Sequence, residues 1–170
     1  GVGGPPTDLD GDGIVDLVVN IQNDHDIEVD AAGAPLDDGI DAPGEWTLAV
    51  FDAATGALQS SWVGAYGVGM VDLDGDGHDE IVATTTAGWT FSGGHALGLA
   101  FEPSSGLTEV WGSAGLSPVR FPASYDDVGY PPVSLLTIDN DGDGQVELLL
   151  YDAAGLAAVA YDGAGGLSVL

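Results

Sequence analysis

Three nine-residue stretches hold most of the chemistry available to this chain. They are Asp8-Leu9-Asp10-Gly11-Asp12-Gly13-Ile14-Val15-Asp16, Asp72-Leu73-Asp74-Gly75-Asp76-Gly77-His78-Asp79-Glu80 and Asp139-Asn140-Asp141-Gly142-Asp143-Gly144-Gln145-Val146-Glu147. They align without a gap, with carboxylates at positions 1, 3, 5 and 9 and glycine at position 6. Calcium takes six to eight hard oxygen ligands at ~2.3–2.6 Å in a forgiving geometry. Acids at alternate positions converge on one point when the backbone curls, and Gly13, Gly77 and Gly144 supply the sharp turn. The carbonyl at position 7 (Ile14, His78, Gln145) then turns inward, and the acid at position 9 (Asp16, Glu80, Glu147) closes the shell. The expected cofactor is therefore Ca2+, about three ions per chain.

Electrostatics argues the same way. The chain holds 28 acidic residues against one basic residue, Arg120, for a net charge of −27. Four crowded carboxylates repel one another unless a counter-charge joins them. One arginine cannot neutralise three clusters, whereas a bound dication can. The all-oxygen ligand set disfavours zinc and copper, and magnesium prefers a tighter octahedron with retained waters. An EF-hand needs an acid at position 12, which here is Val19, Ala83 and Leu150.

Those same positions show what must hold the loops. Each nonapeptide runs into an aliphatic stretch: Leu17-Val18-Val19, Ile81-Val82-Ala83 or Leu148-Leu149-Leu150. The second and third also follow apolar stretches, 68–71 and 133–138, so strand–loop–strand is expected. A second element recurs, with an aromatic, an acid and a glycine at fixed offsets: Phe51-Asp52 with Gly56, Phe101-Glu102 with Gly106, and Tyr161-Asp162 with Gly166. Flanked by apolar residues, each reads as a hairpin turn. Two hairpins per unit give about four strands, the content of a propeller blade. The expected fold is all-β, with three four-stranded antiparallel blade-like repeats forming a partial or open β-propeller. Its units are 1–64, with an incomplete first strand and a long acidic loop at 23–45, 65–131 with a connector at 112–131, and 132–170.

Composition bounds the function. A hydrophobic content of 45% and a mean hydropathy of +0.20 supply a core for 170 residues. Phosphate binding needs Lys and Arg, so nucleic acid is excluded as a partner. No run of ~18 apolar residues exists to span a membrane. The opening Gly1–Pro6 lacks the basic and apolar regions of a signal peptide. With no cysteine there is neither a disulfide nor a thiolate metal site.

The pattern Asp-x-Asp-Gly-Asp-Gly-x-x-Asp followed by Leu17-Val18-Val19 resembles the FG-GAP/VCBS repeat, the calcium-loop blade of integrin α-subunit propellers and many bacterial surface proteins. The resemblance implies calcium ligands at Asp8, Asp10, Asp12, the Ile14 carbonyl and Asp16. It implies the same roles for Asp72, Asp74, Asp76, the His78 carbonyl and Glu80, and for Asp139, Asp141, Asp143, the Gln145 carbonyl and Glu147. The chain departs from the family in keeping its Phe-Gly only as Tyr66-Gly67 and in lacking its Gly-Ala-Pro ending. Three units cannot close a ring of roughly four to eight blades, so other chains or the remainder of a longer propeller are the expected partners.

The function implied is a non-catalytic, calcium-stabilised module for extracellular adhesion, protein interaction or surface assembly. An extracellular or cell-surface location follows from weak sites of ~10⁻⁴–10⁻³ M, which only extracellular calcium fills. Two alternatives stand beside it. One is a propeller fragment of a secreted carbohydrate-active enzyme of the polysaccharide-lyase kind, with a glycan as partner; a single arginine and no lysine weigh against it. The other is a structural subunit of an extracellular filament or complex. His25, His78 and His95 show no zinc spacing, and pairs such as Asp37-Asp38 and Asp126-Asp127 follow from the acidic composition. Trp46, Trp62, Trp89 and Trp111 are aromatics for stacking on sugar; of these, Trp62 and Trp111 read as packing between blades, and Trp89 is the better exposed candidate.

Overall fold

The computed structural model describes residues 7–22, 46–86, 94–113, 115–118, 135–139, 142–151 and 155–170. Eleven strands form among them: β1 (Asp16–Gln22), β2 (Trp46–Asp52), β3 (Leu58–Val63), β4 (Ala65–Val71), β5 (Glu80–Thr85), β6 (Ala96–Glu102), β7 (Gly106–Ser113), β8 (Thr137–Ile138), β9 (Glu147–Tyr151), β10 (Leu156–Tyr161) and β11 (Leu167–Val169). They make three antiparallel sheets, each a meander in chain order: β1-β2-β3, β4-β5-β6-β7 and β8-β9-β10-β11. Among the described residues the sheets do not join into a closed barrel. No helix there is long and apolar enough to cross a membrane.

Side chains alternate across a strand, and this alternation assembles the stack. In β5, Ile81 and Ala83 enter an apolar cluster with Val18, Leu48 and Val50 of the first sheet. Val82, between them, enters a second cluster with Leu148, Leu150 and Val159 of the third sheet. The middle sheet is thus buried on both faces, so β5 reads as an unbroken apolar run. Trp62 packs against the first cluster and Trp111 lies within the second. Gly98 allows that approach, since a Cβ there would sit 2.1 Å from the Trp111 ring.

Polar bonds also cross between sheets. The Asn20 amide of β1 donates to the Gly67 carbonyl at 2.8 Å and accepts from its N–H at 2.7 Å, beside a bulge in β4. Ser60 Oγ of β3 accepts the Leu107 N–H of β7 at 2.9 Å. Trp46 meets Tyr66 edge-on with ring centroids 4.8 Å apart, which buries a tryptophan weighed above for sugar stacking.

Among the described residues the first sheet has three strands, and the second and third have four. Ahead of β1, Thr7, the first of the described residues, bridges to Asp16. The acidic loop 23–45, Trp89, His25, Asp126-Asp127 and most of the connector lie outside the described residues.

Candidate metal centre

Each nonapeptide joins two pairing segments, and one pairing closes each loop at the same point. The residue before the first aspartate pairs with the position-9 acid: Thr7 with Asp16, Val71 with Glu80, and Ile138 with Glu147. Inside the loop, short aspartate side chains take the turn's N–H groups, as such residues do. Both oxygens of Asp8 accept backbone N–H groups, from Asp12 at 3.1 Å and Gly13 at 2.8 Å. Those of Asp72 accept from Gly75 at 2.7 Å and Gly77 at 3.0 Å. Asp10 and Asp74 accept the position-5 N–H, at 3.1 and 3.0 Å. Asp12, Asp76 and Asp143 accept the position-7 N–H of Ile14, His78 and Gln145, at 2.7, 2.8 and 2.8 Å. The position-6 glycines carry the curl at φ of +87°, +95° and +91°, where a side chain is strained.

The result is a knot of oxygen. One carboxylate oxygen each from Asp8, Asp10 and Asp16 lies within 4.8 Å of the others, and Asp72, Asp74 and Glu80 form the same triad. Oxygens sharing one calcium can be no farther apart than roughly 5 Å, twice the Ca–O distance, so both triads fit that ion. The position-5 acids Asp12 and Asp76 stand outside the triads. In the third loop Asp139, Asp143 and Glu147 are described and Asp141 is not, so that ligand set is incomplete among the described residues.

The position-9 acids set the electrostatics. Asp16 is 3% exposed, Glu80 5% and Glu147 3%. Burial pushes the Glu80 carboxyl up to about 7, against an N–H bond from Leu73 that lowers it, with Asp74, Asp76 and Asp72 adding repulsion. Burial likewise raises Asp16, opposed by the Leu9 N–H and reinforced by Asp10, Asp12 and Asp8. Glu80 and Asp16 are costly to ionise in the protein alone, and a bound dication inverts that logic.

Sequence reasoning passed over one residue in each of the first two loops. Leu9 and Leu73, at position 2, are each 3% exposed and sit in the two inter-sheet clusters. Their N–H groups donate to the buried acids, Leu9 to Asp16 Oδ2 and Leu73 to Glu80 Oε2, both at 2.9 Å. A leucine between two aspartates was the available signal, though the third copy has Asn140 there. Comparison of the chain with protein-family models, curated proteins and solved structures found no match.

Proposed function

We propose that the protein is a non-catalytic, calcium-stabilised module of β-propeller-type blades, serving adhesion, protein interaction or surface assembly outside the cell. The observation that carries this is the acid triad formed twice, by loops of the same sequence pattern, each closed by a buried carboxylate. Those carboxylates have backbone N–H donors and a converging set of oxygens that suits a hard cation. Each of the three loops takes one ion, held by the acids at positions 1, 3, 5 and 9 and the carbonyl at position 7. The ion's role is structural, because only the folded loop gathers its ligands and binding free energy becomes folding free energy. The stacked meanders supply the rigid frame. The large negative charge repels phosphate-rich partners and favours cations and neutral or basic protein surfaces.

The magnitude can be set in advance. A site of ~10⁻⁴–10⁻³ M in ~10 mM calcium stabilises the fold by about 1.4–2.7 kcal/mol. For a chain of this size that is roughly 3–10 °C of melting temperature per loop. Asp74→Ala is expected to lose one bound ion and a shift of this order. A variant that melts as the wild type does in millimolar calcium contradicts the reading.

A further inference from the structure

We propose that calcium binds the loops at 8–16 and 72–80 cooperatively, each filled loop preparing its neighbour through the interface between their sheets. This rests on the calcium reading above and concerns how the sites are regulated. Two independent features connect the loops. On the surface, His78 of the second loop lies against the first, its Cε1 3.2 Å from where a Cβ on Gly11 would stand. Beneath them, Leu9 of the first loop shares one buried cluster with Ile81, the residue directly after Glu80.

The leucine makes the connection mechanical. Its N–H is held by the closing carboxylate of its own loop, while its side chain is fixed in a core built partly by the next sheet. A cation that draws in Asp16 must settle Leu9, and settling Leu9 settles the strand that carries Glu80. The second interface repeats the device: Leu73 donates to Glu80 and shares a cluster with Leu148, the residue directly after Glu147. Loop 72–80 is therefore the middle link between the other two. A loop whose neighbour is already ordered loses less freedom on binding, which gives positive coupling without a change of fold.

Calcium titrations followed loop by loop, through the backbone amide signals of Gly13 and Gly77, test this. Coupling of the usual strength changes affinity roughly 5–150-fold and is reciprocal. Asp74→Ala should weaken calcium at loop 8–16 at least fivefold, and Asp10→Ala should weaken loop 72–80 by the same factor. Ile81→Val trims the buried cluster that Leu9 shares with the second sheet and changes no residue of either loop. It should keep both sites filled while lowering the coupling factor. Calcium at both loops with affinities unchanged by the neighbour's loss would overturn the coupling and leave the calcium reading standing. Absence of calcium from both loops would overturn the two together.

Discussion

Loops 8–16 and 72–80 have nearly the same sequence but very different supports. The second is entered by β4, which pairs with β5 from Ala65–Thr85 to Val71–Glu80. The first is entered at Thr7, where the described residues begin, by a bridge to Asp16. Yet both curl alike, gather the same three acids and clamp the position-9 carboxylate with the position-2 N–H. The loop's shape therefore comes from its own aspartates and glycines, whose backbone bonds recur in both copies. What differs is the core beneath. Leu9 sits between a three-stranded and a four-stranded sheet, and Leu73 between two four-stranded ones.

The largest effects should come from that core. Leu73→Ala and Leu9→Ala each remove a buried leucine, a loss of about 2–5 kcal/mol by the general run of such changes. Leu73→Ala should fall toward the upper end and Leu9→Ala toward the lower, as read by urea unfolding in chelator. An equal or reversed order would show that the different sheets around the two leucines do not set the cost.

Next in size is the pH response of the metal-free protein. Glu80 rises from 4.5 to about 7 on folding, so the folded state holds its proton more tightly. Stability is full below pH 4.5 and declines as pH climbs to about 7, by on the order of 3 kcal/mol. Glu80→Gln should flatten most of this slope in chelator, with Asp16→Asn removing a further part in the same direction. A metal-free protein that gains stability between pH 5 and 8 would oppose the assignment. Calcium should cancel the decline, because the ion takes the proton's place.

The smallest effect concerns the turn itself. No atom lies within 4 Å of a Cβ placed on Gly13 or Gly77, so alanine at either costs backbone strain alone, about 1–2 kcal/mol. Chemical denaturation should give the two variants matching losses. A large gap between them would mean that the surroundings of each loop shape the curl after all.

The all-β class was legible because apolar runs alternate with acidic and glycine-rich turns at short intervals. The hairpin turns were legible too: Asp52 takes the Thr55 N–H and Asp162 the Ala164 and Gly166 N–H groups, as their aspartate–glycine spacing implies. Which sheet meets which was not legible. Asn20 finds Gly67, and Ser60 finds Leu107, through bonds that join different sheets, and no periodicity encodes such a pair. Trp46 looked available for stacking because burial by Tyr66 depends on that same sheet-to-sheet placement. Leu9 and Leu73 were hidden among acids, where a local reading expects solvent. Their burial follows from the meeting of neighbouring sheets, whose residues fill the same clusters.

Thermal unfolding in millimolar calcium and in excess chelator, with bound metal counted by elemental analysis, tests the central claim most directly. Three ions per chain and a rise of roughly 3–10 °C for each filled loop are expected. An unchanged melting temperature with no bound calcium would reduce the nonapeptides to acidic turns and contradict the calcium-stabilised fold.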